Sequence, residues 1–301
     1  MRATIQLCTY NRAHLLGRVL DGCFEQTLSG ADYEIVLVDD GSRDETPEVI
    51  AAAKRRATCK FVVVTQPNGG LARARNSGIA RATGERIIFI DDDVLPTPAF
   101  VAEHLRSHAA HPAAIVRGAV INTASFERLP TPTWSLANYS GNWFWTSNVS
   151  LPLATLRAVG NFTETFREYG WEDIELGMRL RARKVRGVFN RFALAFHYKP
   201  PPSAADVEAM LRQARAQART AVALRALHDH WRVVLATGDD PLRRALHRAA
   251  NRLGAVDRLE RAVGPRPSMR ALSAVQLAAA RALARETYYE ELERARAAAG
   301  V

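Results

Sequence analysis

Between residues 3 and 118, short apolar runs alternate with helix-length segments. That alternation is the pattern of a parallel α/β sheet, whose ligands gather at the carboxyl ends of the strands. The runs Thr4–Thr9, Glu34–Asp39, Phe61–Thr65 and Arg86–Ile90 read as strands. Polar and glycine residues follow each of them: Tyr10-Asn11-Arg12, then Asp40-Gly41-Ser42, then Pro67-Asn68-Gly69-Gly70, then Asp91-Asp92-Asp93. Chemistry-bearing residues are thereby collected at one edge of the sheet, where folds of this kind bind nucleotides. Helices are expected to start near Ala13, near Glu45 with Ser42 or Asp44 as cap, and near Leu71 after the Gly-Gly turn.

From about Arg117 to His197 the pattern is less regular. An aromatic cluster of Trp134, Tyr139, Trp143, Phe144 and Trp145 precedes Gly170-Trp171-Glu172-Asp173, which opens an amphipathic helix with Ile174, Gly177, Met178 and Arg181 on one face. The strand-like Phe192–His197 closes this region, and Pro200-Pro201-Pro202 breaks regular structure. Beyond it, Ala205–Leu235 and two later Ala/Leu/Arg segments read as helices, with turns at Gly238-Asp239-Asp240-Pro241 and Gly264-Pro265-Arg266-Pro267. The expected organisation is an α/β domain over residues 1–199, with a nucleotide-binding half at 1–118 and an acceptor half at 119–199, then a helical region at 200–301.

With 301 residues, 48% of them hydrophobic, the chain can bury a full core. No long uninterrupted apolar stretch occurs, so neither a signal peptide nor a spanning helix is expected. Three cysteines, Cys8, Cys23 and Cys59, lack metal-ligand spacing and suit a reducing cytoplasm. A net charge of +10 attracts polyanions. Nucleic acid is set aside as a partner, because the basic residues are not grouped with exposed aromatic stacking platforms. The Arg/Ala-rich tail is expected to pack on the catalytic domain, to form a homodimer, or to present a basic amphipathic surface to anionic lipid at the inner membrane face.

In Arg86–Val94 an apolar strand runs into three consecutive carboxylates. Two unit charges about 4 Å apart repel by roughly 4 kcal/mol at an effective dielectric near 20. A divalent cation such as Mg²⁺ or Mn²⁺, itself holding substrate phosphates, would relieve that repulsion; the competing reading is a solvated acidic turn.

Taken together, Thr9-Tyr10-Asn11-Arg12, Val38-Asp39-Asp40-Gly41-Ser42-Arg43-Asp44, Gln66-Pro67-Asn68-Gly69-Gly70-Leu71-Ala72-Arg73-Ala74-Arg75-Asn76 and Asp91-Asp92-Asp93 occur in order, each at a strand end. In this the first two-thirds of the chain resembles the family 2 glycosyltransferases of the GT-A fold, a Rossmann-like, mostly parallel sheet flanked by helices. Gly170-Trp171-Glu172-Asp173-Ile174-Glu175 followed by His197 resembles the acceptor half of galactosyltransferase-like members.

The resemblance implies a metal-dependent, inverting transfer of a hexose from a nucleotide-sugar, a UDP-sugar, to a saccharide or glycolipid hydroxyl. It implies that Asp40 takes the base, that Thr9, Tyr10 and Arg12 line the uridine pocket, and that Arg73 and Arg75 face the donor. Under the family's Asp-x-Asp pattern, Asp91 serves the ribose side and Asp93 binds Mn²⁺ or Mg²⁺ with His197; a register with Asp92 as ligand stays open. Asp173 is the candidate general base, because a sugar hydroxyl is a poor nucleophile until its proton is taken. Glu172 would hold another acceptor hydroxyl, and Trp143, Trp145 and Trp171 would offer apolar faces to sugar rings. The competing readings are a turn cap for Asp40, first-turn acids favoured by the helix dipole for Glu172 and Asp173, a core residue for His197, and core packing for the tryptophans. Rival functions are a retaining transferase, a sugar-nucleotide pyrophosphorylase and a non-catalytic sugar-binding protein.

Overall fold

The computed structural model describes residues 1–136, 143–265 and 270–300; Tyr139 of the expected aromatic cluster and Arg266-Pro267 of the expected turn lie outside them. The chain divides into two compact units, Met1–Arg167 with Glu172–Pro200, and Glu168–Trp171 with Pro201–Val301.

The first unit is built on an eight-stranded sheet. Its strands are β1 (Ala3–Thr9), β2 (Tyr33–Asp39), β3 (Lys60–Thr65), β4 (Arg86–Phe89), β5 (Val94–Pro96), β6 (Ile115–Thr123), β7 (Val149–Pro152) and β8 (Gly187–Tyr198), in the order β3-β2-β1-β4-β7-β6-β8-β5. The four strands expected from the apolar runs form the parallel half. They read as continuous runs because both faces are covered: every residue of β2 is buried. On one face α1 (Ala13–Phe24) packs Leu16, Val19, Leu20 and Cys23 against Ile5, Leu7, Ile35 and Leu37. On the other, α3 (Leu71–Arg81) and α6 (Glu172–Ala182) close over Ile87 and Phe89 through Ala72, Ile79, Leu176 and Leu180.

The region of weak pattern holds more regular structure than expected. β7 runs antiparallel to both β4 and β6, and β6 runs parallel to β8 with a register shift at Gly118/Ala119. β8 begins at Gly187, well before Phe192, because Gly187–Asn190 pair with Ile115–Gly118 of β6; Asn190, a residue unfavourable to strands, is buried there and donates to the Glu103 carbonyl of α4 (Phe100–Ala110) at 3.0 Å. The buried face of α6 is Glu172, Glu175, Leu176, Gly177 and Leu180 instead of the Ile174/Met178 face. Two buried carboxylates on that stripe hide it from a hydrophobicity count.

In the second unit a Ser203–Asp206 capping box opens a 3₁₀ turn, followed by α7 (Val207–Leu227), α8 (Trp231–Thr237), α9 (Pro241–Arg252), α10 (Ala255–Val263) and α11 (Ala274–Ala299). The single helix expected over Ala205–Leu235 is broken at His228–His230, where the His230 ring accepts a bond from the Arg232 amide and caps α8. Val207 and Leu211 pack against Ala280 and Leu283 to form this unit's core. Among the described residues no helix is long and apolar enough to cross a membrane.

Candidate active site

Three loops at the carboxyl ends of β1, β2 and β3 are tied into one floor. Asn11 stands in the left-handed region at φ 53°, a conformation Asn tolerates. Its amide donates to Ser42 Oγ at 2.9 Å, and its side-chain oxygen accepts from the Arg43 amide at 2.7 Å. Asp44 accepts from the amides of Ala13 and Thr46, each at 3.1 Å, serving the starts of α1 and of the helix α2 (Thr46–Arg56). Asp40 is buried and accepts from Gln66 Nε2 at 2.7 Å and from the amides of Gly69 and Gly70 at 3.0 Å each. The Asp40 carboxylate is thus the anchor of the 66–70 loop, a role beyond capping the Gly41 turn. Only glycine fits at Gly70: φ is +88°, and a Cβ would lie 2.5 Å from the Arg167 carbonyl oxygen.

After β4 the chain leaves the sheet through the carboxylate trio. The Val94 amide bonds back to the Asp91 carbonyl at 3.1 Å, and β5 then pairs Val94 with His197 of β8. This short antiparallel pairing sets Asp93 beside His197, with Oδ1 and Nε2 3.7 Å apart. Arg12 approaches the same group, 4.0 Å from Asp92 and 3.8 Å from Asp93. Burial pushes Asp92 up to about 7, more than Arg12 and Thr9 pull it down. Asp93 responds oppositely. Its burial is outweighed by the His197 ring and then by Arg12, so its carboxyl is held below the usual range.

Arg75 joins this trio to the start of α6. Its guanidinium is buried, donates to Glu172 Oε1 at 2.8 Å, to Thr146 Oγ1 at 2.6 Å and to Asp91 Oδ1 at 3.3 Å, and lies 5.2 Å from the Phe162 ring centre. Ser147 donates to the other Asp91 oxygen. The second oxygen of Glu172 is buried without a hydrogen-bond partner. Beside it, Asp173 keeps some exposure and accepts from the Ile174 amide at 2.7 Å. Burial, then the Glu172 charge, raises the Asp173 carboxyl to about 7 against the pull of Arg75. A carboxyl poised near neutrality at a helix start is suited to accept a proton.

The structure separates residues that the motifs list together. Thr9, Arg12, Asp91–Asp93 and His197 line the same sheet edge, while Tyr10 there is exposed. Arg73 points outward and Arg75 inward. Trp143 packs on Gly187 with the Arg181 guanidinium 5.1 Å over its ring, and Trp171 is buried in the helical unit, its indole donating to the Gln217 carbonyl at 2.8 Å. Both rings are engaged in packing, into which apolar rings are readily drawn. Trp145 is partly exposed next to Thr146 and Ser147. Thr146, Ser147 and Phe162 carry no motif and escape sequence reasoning. Arg75 had a signal, its place on the buried Ala72–Ile79 stripe of α3.

Among the described residues no three His, Cys, Asp or Glu side chains close a cage for a metal ion. The Asp93–His197 pair, partly exposed on both sides, nevertheless fits Mn²⁺ or Mg²⁺ of the kind held by one or two protein ligands and shared with substrate phosphates.

The model of "Glycosyl transferase family 2" matches residues 4–166. Validoxylamine A glucosyltransferase of Streptomyces hygroscopicus subsp. jinggangensis (strain 5008) is 33% identical over 218 residues, covering 60% of this chain and 52% of that protein. A poly(ribitol-phosphate) beta-glucosyltransferase of Bacillus spizizenii (strain ATCC 23059 / NRRL B-14472 / W23) is 35% identical over 94 residues, 31% of this chain and 15% of that one. The chain spans about half the length of the validoxylamine A glucosyltransferases it matches. Among solved structures, S. aureus TarS 1-349 in complex with UDP-GlcNAc aligns with a TM-score of 0.56 at 17% identity, covering 99% of this chain and 92% of that one. Mannosyltransferase PcManGT from Pyrobaculum calidifontis, in complex with GDP-Man and Mn²⁺, aligns with a TM-score of 0.56 at 17% identity, covering 99% and 73%. At such identities the likeness is one of fold, the mixed, mostly parallel GT-A architecture.

Proposed function

Since this chain belongs to glycosyl transferase family 2, whose model matches more than half of it, and is a glycosyltransferase, we propose that it moves a hexose from a UDP-sugar to a hydroxyl of a saccharide or glycolipid in glycan or polysaccharide synthesis, with inversion at the anomeric carbon. The observation that carries this reading is the Arg75 bridge, which joins Asp91 at the end of β4 to Glu172 at the start of α6, next to Asp173. A donor-side carboxylate, Asp91, and an acceptor-side carboxylate, Glu172, are thereby held by one buried cation, with Asp173 adjacent in the chain. Residues 1–118 then form the donor half and 119–199 the acceptor half.

In this reading the acceptor oxygen attacks the anomeric carbon as the bond to the departing diphosphate breaks, and its proton passes to Asp173. Glu172, fixed by Arg75, orients an acceptor hydroxyl with its unpartnered oxygen. Thr9, Tyr10 and Arg12 border the nucleoside, Asp91 and Asp92 the ribose and diphosphate, and Asp40 shapes the 66–70 loop beneath the base. Asp93 and His197 would hold Mn²⁺ or Mg²⁺, which when bound offsets charge on the nucleoside diphosphate. Support comes from the solved neighbours bound to UDP-GlcNAc and to GDP-Man with Mn²⁺.

The test is a thermal-shift panel of UDP- and GDP-sugars with and without Mn²⁺, followed by acceptor-dependent release of nucleoside diphosphate. Stabilisation and turnover with a UDP-sugar support the reading, since a ligand of the folded state raises its stability by mass action. No shift and no turnover with any UDP-sugar overturns the donor assignment. NMR of the product linkage overturns inversion if the donor's anomeric configuration is retained.

A further inference from the structure

The helical unit carries a feature that glycosyl transfer does not use. No residue of α9 is buried. Leu242 and Leu246 on that helix, and Leu253 just past its end, are 70%, 60% and 75% exposed. Spacings of four and seven residues place them in one stripe. On α8, Trp231 and Leu235 repeat the spacing of four and are also exposed. Isolated exposed leucines are ordinary, but a sustained stripe marks an interaction surface.

The charged residues of α9 itself are of one sign. α9 contains Arg243, Arg244, Arg248 and Arg252 and no acidic residue. Arg244 turns inward, 3.4 Å from the buried Asp239. Arg243 lies 3.3 Å from Asp240 and Arg248 3.8 Å from Glu293, yet both side chains stay at least half exposed. Arg252 is exposed as well.

We infer that α9, with the Trp231–Leu235 face of α8, is a peripheral docking surface for an anionic phospholipid bilayer. Leucines flanked by arginines on a helix too polar to span lie in the plane of a bilayer interface, and tryptophan favours the same depth. Anionic head groups would meet Arg252 and the exposed sides of Arg243 and Arg248, whose acidic neighbours leave them at least half exposed. A second copy of the chain fits less well, because a two-fold contact would set the same arginine-rich patch against itself. The net charge of +10 favours approach to an anionic surface.

The full chain is to be sedimented with phosphatidylcholine vesicles and with vesicles containing phosphatidylglycerol, at low and raised salt. Binding is expected only with phosphatidylglycerol, and weaker at raised salt. Leu242→Glu with Leu246→Glu is expected to lower it by at least ~10-fold, and Arg248→Ala with Arg252→Ala by roughly tenfold or more. All four side chains are exposed, so both variants are expected to melt like the parent. Equal binding to both vesicle types, no binding to either, or full binding by the leucine variant overturns the proposal. So does a dimer in light scattering that the leucine variant abolishes while neither vesicle binds, which would assign the face to a second copy.

Discussion

Arg75 and Glu172 stand 97 positions apart in the chain and 2.8 Å apart in space, both side chains nearly free of solvent. The pair welds the helix after the glycine loop to the helix that begins with the candidate base. Burial would lower the Arg75 pKa, but Glu172, then Asp91, raise it overall, so the arginine stays charged.

Removing one partner of a buried ion pair strands the other. Arg75→Met is therefore expected to destabilise the fold by about 3–5 kcal/mol, read as a shift of the urea midpoint. Adding Glu172→Gln should recover a large part of that loss, because the two residues are in direct contact and their effects are not additive. A single-variant cost below about 1 kcal/mol, the range of surface pairs, would show that Arg75 is not a structural link.

A second buried group is expected to set the acid limit of stability. His104 lies between Ser150 Oγ at 2.8 Å and Asn148 Oδ1 at 2.9 Å, and His108 meets the same serine at 2.8 Å. Burial, then the neighbouring His108 charge, pushes His104 down to about 3; burial, then Arg86, pushes His108 down to about 4. Both rings are neutral in the fold. Because these values are depressed below 6.5, the stability they contribute is full above that pH and is lost as pH falls through 4 towards 3. The melting temperature should fall over that window, each ~1 kcal/mol lost costing about 2–4 °C. His104→Gln should melt lower at neutral pH and show a flatter acid limb; an unchanged acid limb would remove this pair from the account.

The parallel half of the sheet is legible in the sequence because parallel strands covered on both faces are written as unbroken apolar runs, as in Ile35–Val38 and Ile87–Ile90. The glycine and carboxylate turns stand out against those runs. β5 and β7 are not legible, at three and four residues, and their partners lie far along the chain. The bond from Ser147 to Asp91 crosses 56 positions and follows from tertiary packing alone. Arg73 and Arg75 sit in one motif, yet only Arg75 falls on the buried face of α3, which helical spacing could have told apart. Tryptophan is ambiguous in the sequence for the opposite reason. A large apolar ring near a site is drawn into packing as readily as it stacks on a sugar, and Trp143 and Trp171 are both used in packing.

The metal assignment predicts a linked loss. Asp93→Ala and His197→Ala each remove one donor of the pair, so calorimetric affinity for UDP in Mn²⁺ should fall towards the value measured in EDTA. Folding should persist, since both side chains are partly exposed at the sheet edge. Equal UDP affinity of the parent protein in Mn²⁺ and in EDTA would sink the assignment.

The sharpest expectation concerns Asp173. Its carboxyl is raised to about 7 from an ordinary 3.8, by burial first and by the Glu172 charge second. A base must be ionised, so transfer should climb with pH through about 7. The stability consequence has the opposite sign. A folded-state value above the unfolded one means that the contribution of Asp173 is full below about pH 3.8 and is lost as pH rises through 7. Asp173→Asn keeps the shape and the acceptor for the Ile174 amide but can neither ionise nor take a proton. Transfer should drop by roughly 10²-fold or more, with donor affinity nearly unchanged, because the lost interaction belongs to the transition state. The same variant should melt above the parent at alkaline pH, and that advantage should shrink as the medium becomes acidic. Near-parental transfer by the Asn variant would make Asp173 a helix-start acid and turn the search for the base to Glu172.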